Sequence, residues 1–532
     1  MSFIDGYIDS NENNNLCGSN EKCEKKTYNR LLSSKPDSIC QLALRKPTII
    51  EPKQGLLDTG TRPDGSAFFQ DAFELKALNE RSMSVIKSEH PDYWNELGGG
   101  DPMKLPPFPG LSDTIVRLFN SDKLSQYPTT EGDYEIRCKI LGYLKQEKFS
   151  KKLTESNIAF SVSTTHAFNL LCSLILRPFD VVLFESPTYG LFTFSPERVG
   201  GITRFFPLKR EENWSIESGR LEETIDEINE ELKSRYQEKL DYMPKVSMVY
   251  QSNPQNPIGR VISEGDKKRL ERVLDVCHRK GVFYIDDLIY KDLSYEKDVF
   301  PAMGINGYES DVIALLGVSK SYGLAGIRSG IIVADEMIIR GIRELLFQTI
   351  DSPSQLQTEI LGEIFNCSQE RNEKYKSFFG PIINEYRHRF AILKAGINGI
   401  DMIDTLEEKV SVSADLKRYY NDSEKEKKWL GGIPYIKLAE GCDPESGFFA
   451  LLDFTELIGM SYKSSVLNNE EDIMIYLYKT MRIKYLPGAY MAWPDKKQCI
   501  ARVSFAVERK DIIFFIQCLH EAVERLNGRS LS

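Results

Sequence analysis

Long apolar runs are missing from this chain of 532 residues. No stretch approaches the roughly 18 consecutive apolar residues that cross a bilayer, and Met1-Ser2-Phe3-Ile4-Asp5 does not open a signal peptide. These two absences exclude a membrane partner and lead us to expect a cytoplasmic protein. An excess of positive charge is missing too: 68 Lys and Arg face 78 Asp and Glu, for a net charge of −10. That balance argues against nucleic acid or an anionic lipid surface as the main partner. Metal-ligand spacing is also lacking. Cys17 and Cys23 stand too far apart for a paired clamp, and Cys40, Cys172, Cys277 and Cys518 lie in mixed or apolar contexts. The ten cysteines read as reduced thiols, with no metal site expected. No internal repeat is visible.

What is present is length and alternation. A chain of this size exceeds one hydrophobic core, so two lobes with appendages are expected. Residues 1–85 read as an N-terminal extension, in part a flexible start or an arm over a neighbour, because Asn11-Glu12-Asn13-Asn14-Asn15 and residues 21–26 are polar and without pattern. From Leu97 the chain gains punctuation, in Leu97-Gly98-Gly99-Gly100-Asp101-Pro102. Short apolar strands are predicted at 158–160, 181–184, 246–250, 282–285 and 312–316. Each is too apolar on both faces for a one-sided sheet, which predicts a buried, mostly parallel one. Between two of them Ser263 and Asp266 form a capping signal ahead of a helix with Leu270, Val273, Leu274 and Cys277 on one stripe. Strand alternating with helix means α/β layering. We expect a large α/β domain over 86–345, whose N-terminal segment contributes to a smaller α+β C-terminal domain over 346–532. That smaller domain carries a charged, solvated insertion near 419–432 and a strand at 447–453.

The residues able to do chemistry fall at strand ends, where ligands of open α/β sheets collect. The strand at 312–316 delivers Gly317-Val318-Ser319-Lys320-Ser321-Tyr322-Gly323, with Arg328 eight positions beyond the lysine. Lysine forms imines with aldehydes, and arginine forks onto phosphate. A cofactor with both groups is pyridoxal phosphate. By itself the run is weak evidence, and a solvated surface lysine is its commoner meaning. After 246–250 comes Asn253-Pro254-Gln255-Asn256-Pro257, a turn stiffened by two prolines, from which Asn256 can offer an amide NH₂ to a phenolate. After 282–285 comes Asp286-Asp287-Leu288-Ile289-Tyr290. Asp287 can pair with a ring N–H⁺ and Tyr290 can donate to the phenolate. Asp286 is the rival carboxylate, ranked second because its side chain alternates away. A helix cap and a core tyrosine are the plainer alternatives there. Thr164 and Thr165 sit at a helix start suited to an anion, and Tyr189 follows the strand at 181–184, placed to stack on a ring. Arg502, alone in an apolar strand, needs an anion, either a substrate carboxylate or a structural ion pair.

Taken together, and in this order, the motifs resemble the fold-type-I pyridoxal-phosphate enzymes of the class I/II aminotransferase family, from about Leu97 to the C-terminus. The resemblance extends to Tyr127, with Gly132 and Arg137, which is similar to a segment whose tyrosine reaches the neighbouring subunit's cofactor phosphate. It implies an aminotransferase moving the α-amino group of an amino acid to a keto acid, with Lys320 forming the aldimine and shuttling the proton. Asp287 is then on the pyridine nitrogen, Asn256 and Tyr290 on the phenolic oxygen, and Tyr189 on the ring face. Thr164, Thr165, Ser319, Arg328 and a partner's tyrosine equivalent to Tyr127 bind phosphate in a homodimer. Arg502, Asn256 and the backbone near Gly99 and Gly100 take the substrate carboxylate. Two departures stand out. Gly317 occupies a position where the family usually has Ser or Thr, so a phosphate hydroxyl is missing unless Ser319 or Ser321 compensates. His166 replaces a small residue in the phosphate turn. A lyase, cyclase or other α-carbanion tailoring enzyme shares the first half of this mechanism and is the alternative. A DNA-binding regulator on the same fold is disfavoured by the acidic charge and by an N-terminal region without a helix-turn-helix pair.

Overall fold

A computed structural model describes residues 95–419 and 430–526. The expected extension over 1–85 and most of the charged insertion lie outside the described residues. Seven strands form the central sheet: β1 (Ile158–Ser161), β2 (Val181–Ser186), β3 (Ile202–Pro207), β4 (Val246–Ser252), β5 (Phe283–Asp287), β6 (Val312–Gly317) and β7 (Gly330–Val333). Their order is β1-β7-β6-β5-β4-β2-β3, and every pairing is parallel except those of β7, which runs antiparallel to both neighbours. All strands but β3 are buried at every residue, which is why their sequences are apolar without alternation.

Helices cover both faces. They include α1 (Tyr134–Gln146), α2 (Thr164–Ile175), α3 (Ser218–Tyr236), α4 (Lys267–Lys280) and α5 (Glu336–Ile350). The expected capping box precedes α4: both the backbone N–H and the hydroxyl of Ser263 donate to Asp266 at 3.1 Å. Leu270, Val273, Leu274 and Cys277 are buried on its inner face. Beyond them runs the 30-residue α6 (Gln369–Asn398). It leads to a second sheet of β8 (Lys437–Leu438), β9 (Phe449–Asp453), β10 (Leu486–Pro487) and β11 (Ile500–Ser504), ordered β10-β11-β9-β8 and antiparallel throughout. The segment at Leu97 joins this second sheet, its carbonyl accepting from the Ser504 N–H at 2.7 Å. Among the described residues no helix is long and apolar enough to cross a membrane.

A buried ionic cluster ties the lysine loop to this frame. Lys291, just past β5, donates to Glu147, to the Tyr143 hydroxyl at 3.2 Å and to Asp292 at 3.3 Å. Asp292 accepts from the hydroxyl of Tyr322, two residues beyond Lys320, at 2.8 Å. The Arg371 guanidinium of α6 lies over the rings of Tyr143 and Tyr375, 4.8 and 4.5 Å from their centres. Removing one member of such a cluster strands a buried charge, so Asp292→Ala is expected to cost about 3–5 kcal/mol. Urea denaturation checks this, and a loss under about 1 kcal/mol would contradict the reading.

Candidate active site

The carboxyl ends of β1, β2, β4, β5 and β6 open on one edge, and their next residues meet there. Parallel pairing puts Ser252 opposite Asp287 and Asp287 opposite Leu315. From β6 the chain leaves through Gly317 to Lys320, whose Nζ donates to the Gly100 carbonyl at 2.7 Å. Burial holds the Lys320 ammonium below the usual lysine range. Arg502 and Arg328 add to that push, while Asp101 and Asp287 oppose it. An amine placed this way is more often unprotonated, hence nucleophilic and basic.

Asp287 ends β5, and is buried. Its Oδ2 accepts from the Tyr250 hydroxyl at 2.8 Å and its Oδ1 from the Ile289 N–H at 3.2 Å. Burial pushes its carboxyl up to about 6, against the Tyr250 hydroxyl, the Ile289 N–H and Lys320, which favour the charged form. Asp286 turns to the other face. Its Oδ2 accepts from the Ala302 N–H at 2.7 Å and its Oδ1 has no partner. Of the two carboxylates, only Asp287 has Lys320 among the charges acting on it.

Tyr290 is buried against Phe448 and Phe449, and burial raises its phenol, with Arg502 countering. Tyr189 is shifted the same way, mainly by burial, within the fields of Arg502, Asp287 and Arg328. Its loop is seated by the segment at 488–492: the Thr188 N–H donates to the Met491 carbonyl at 2.8 Å, and a Cβ on Gly190 would lie 2.0 Å from the Tyr490 carbonyl oxygen. Arg502 arrives from β11, 5% exposed. Its Nη1 donates to Asn256 Oδ1 at 3.1 Å and its Nη2 to the Gly98 carbonyl at 3.2 Å, while Nε is buried without a partner. The guanidinium sits 4.0 Å from the centre of the Phe449 ring. No carboxylate forms an ion pair with it among the described residues, so the structural ion pair considered from sequence is not what holds it. Because Asn256 uses its oxygen on Arg502, its NH₂ is left to donate elsewhere.

The helix start suited to an anion is formed by α2 and packs against β7. Ser163 caps α2, its hydroxyl accepting from the His166 N–H at 3.0 Å. Thr164 and Thr165 are the first two residues of the helix, where N–H groups point outward. His166 is half-buried in the same turn, and burial lowers its pKa. Gly330 lets this turn approach: a Cβ there would lie 2.8 Å from the Ser163 carbonyl carbon and 2.9 Å from the Thr164 nitrogen. Gly317 has a packing reason as well, since a Cβ would stand 2.7 Å from Ile289 Cδ1 and 3.3 Å from Thr164 Cγ2. Ile289 thus fills the space a Ser or Thr side chain would enter. Ser319 is half-buried beside Lys320, and Arg328 is exposed, with a left-handed φ of 60° and Nη1 donating to the Ala325 carbonyl at 2.8 Å. Gly99 has open space around its Cα, and a Cβ on Gly100 would lie 3.4 Å from Lys320 Nζ. Tyr127 is apart from all of these, 89% exposed.

Sequence reasoning passed over Tyr250, Ser163 and Glu185. Tyr250 is diagonal to Asp287 across the β4–β5 pairing, and that pairing is not written in either strand alone. The donor set fits pyridoxal phosphate: a low-pKa amine, a carboxylate for a ring N–H, donors for a phenolic oxygen and a helix start for a phosphate.

The family model for "Aminotransferase class I and II" matches residues 103–406. The chain is 23% identical over 434 residues to a probable aspartate/prephenate aminotransferase of Aquifex aeolicus, covering 81% of this chain and 91% of that one. It is 24% identical over 275 residues to an S-alkyl-thiohydroximate lyase of Arabidopsis thaliana, covering 50% and 55%. Among solved structures it is similar to the aspartate aminotransferase of Rhizobium meliloti, with a TM-score of 0.67 at 17% identity over 85% of this chain and 96% of that one. The fold, the order of the motifs and the match across more than half its length place the chain in the class I and II aminotransferase family, as a pyridoxal-phosphate-dependent aminotransferase.

Proposed function

We propose that the amino donor is an α-amino acid held by its carboxylate on Arg502, and that Lys320 carries the cofactor and moves the α-proton. The observation that carries this reading is the Arg502 guanidinium: buried, surrounded by neutral acceptors, with Nε unmatched, and close enough to Lys320 to depress its pKa. A cation in that setting is stabilised by an arriving anion, and the planar carboxylate of an amino acid suits its fork.

When bound, pyridoxal phosphate supplies an aldehyde carbon that takes the amino group and a ring that accepts the electron pair left by the departing proton. The side chains do the rest. Arg502 and the backbone at Gly98 to Gly100 orient the substrate carboxylate. The Lys320 amine, its pKa lowered by burial, would take the α-proton and deliver it to the former aldehyde carbon of the cofactor. Asp287 holds the proton on the ring nitrogen, itself steadied by the Tyr250 hydroxyl. Asn256 and Tyr290 would donate to the phenolic oxygen, and Tyr189 would stack on the ring. Thr164, Thr165, Ser319 and Arg328 take the phosphate, with no hydroxyl from position 317. In such a transfer the donor would leave as its own keto acid, and the amino group would end on a second keto acid.

The same proposal includes a homodimer in which Tyr127 reaches the partner's phosphate. Its support is the exposure of Tyr127 together with that of Phe119 and Tyr134 around it. A division near residue 345 between a larger and a smaller domain is supported by the two separate sheets. A cytoplasmic location is in keeping with seven described cysteines, all free thiols.

Borohydride reduction of the cofactor-loaded protein is expected to leave the pyridoxyl group on the Lys320 peptide and nowhere else. Its rate of formation should rise with pH through a midpoint below the ordinary lysine range. A label on another lysine would overturn the assignment. Arg502→Ala removes two forked, charge-assisted bonds worth roughly 1.5–3 kcal/mol each, so KM for α-amino acids should rise about a hundredfold or more. Amines without a carboxylate should react with either protein equally, and an unchanged KM for amino acids would exclude Arg502 as the carboxylate site. For the shared site, Tyr127→Phe and Lys320→Ala subunits mixed into heterodimers should regain activity. One site then carries both lesions and the other neither. Verified heterodimers without rescue would exclude it.

A further inference from the structure

Behind the residues that face the lysine, one carboxylate holds their geometry without touching them. Glu185, the next-to-last residue of β2, is 0% exposed. Its Oε1 accepts from the Ser252 N–H at 2.8 Å and the Ser252 hydroxyl at 2.9 Å. Its Oε2 accepts from the side-chain amides of Gln251 and Gln255, both at 3.1 Å. No cation forms an ion pair with it among the described residues. All four bonds are donated to it, an arrangement that suits the charged carboxylate, held against burial that pushes its pKa up to about 8. An unpaired buried carboxylate is costly unless its hydrogen bonds are made. Here all of them come from one five-residue stretch, 251–255.

That stretch leads straight to Asn256. The Ser252 hydroxyl that donates to Glu185 also accepts from the Asn256 N–H at 3.1 Å. Asn256 in turn accepts from Arg502. A continuous bonded path therefore runs Glu185–Ser252–Asn256–Arg502, from the floor of the sheet to the proposed carboxylate grip. Gln251, fixed by Glu185 on one side, is fixed on the other by the Tyr284 hydroxyl, which donates to its Oε1 at 2.5 Å.

We infer that Glu185 is a positioning residue: by pinning Ser252 and the turn after β4, it sets where Asn256 presents its NH₂ to the phenolic oxygen of the cofactor. This rests on the role proposed above for Asn256. A donor on that oxygen draws charge from it and weakens its hold on the neighbouring proton of the lysine-linked chromophore. Loosening the donor must therefore raise the pH at which the chromophore titrates.

The test is a spectroscopic pH titration of the cofactor-loaded protein, without substrate, for wild type, Asn256→Ala, Glu185→Gln and the double variant. Asn256→Ala should raise the midpoint by about one pH unit, a tenfold change in proton affinity. Glu185→Gln should raise it by a large part of that shift, and the double variant should match Asn256→Ala alone. A Glu185→Gln midpoint equal to wild type overturns the inference, as does a shift that adds in full to that of Asn256→Ala. If Asn256→Ala itself leaves the midpoint unmoved, the role of Asn256 fails and the inference falls with it. That outcome is told apart by the second variant's own titration. Should Glu185→Gln fail to fold by circular dichroism, Ser252→Ala decides: it cuts only the hydroxyl link, is expected to shift the midpoint the same way by a smaller amount, and an unmoved midpoint overturns the proposal.

Discussion

Parallel pairing at the carboxyl edge of the central sheet is the constraint from which the site follows. β2, β4, β5 and β6 finish nearly level, so residues distant in sequence emerge side by side: Glu185 next to Ser252, Ser252 opposite Asp287, Asp287 opposite Leu315 ahead of the lysine loop. Because side chains alternate along a strand, one residue of slip would send Asp287 to the face now held by Asp286. The backbone ladder thus decides which of two adjacent carboxylates faces the chemistry.

Electrically, the protein by itself is unfinished. Lys320, Arg328 and Arg502 share one edge, and the arginines act on the lysine as like charges. Asp287, the buried anion among them, is itself pushed toward neutrality by burial. A phosphate near α2 and β7, a ring N–H beside Asp287 and a carboxylate on Arg502 would relieve each of these tensions. Cofactor and substrate binding are then coupled to the stability of the same edge, because ligands that bind only the folded form stabilise it.

Much of this was legible in the chain because burial on both faces leaves a plain signature. The five apolar runs became strands, with Lys320, Asp287 and Asn256 identifiable as polar residues beyond their ends and Arg502 as the one charge in a separate apolar strand. β3 escaped notice because it is an edge strand in which only Thr203 and Phe206 are buried, so Ile202-Thr203-Arg204-Phe205-Phe206-Pro207 carries no clean pattern. β7 is four residues long and opens on a glycine, too short to separate from the loop before it. Tyr250 was read as part of a strand and Glu185 as the residue just past one, since their partners come from neighbouring strands whose register no local sequence encodes. Gly317 read as a lost hydroxyl. Its packing against Ile289 depends on where β5 and β6 place their exits, which only the assembled sheet shows.

The reversed strand β7 has a mechanical consequence. It is wedged between β6, which launches the lysine loop, and β1, which leads into the turn at 163–165, and it bonds to both along four residues. Twisting of the sheet therefore has to carry the lysine loop and the turn at 163–165 with this shared strand. A strand bonded to both resists changes in the span between them. A cofactor bridging that span would feel thermal motion of the scaffold mostly as transport, with little stretching.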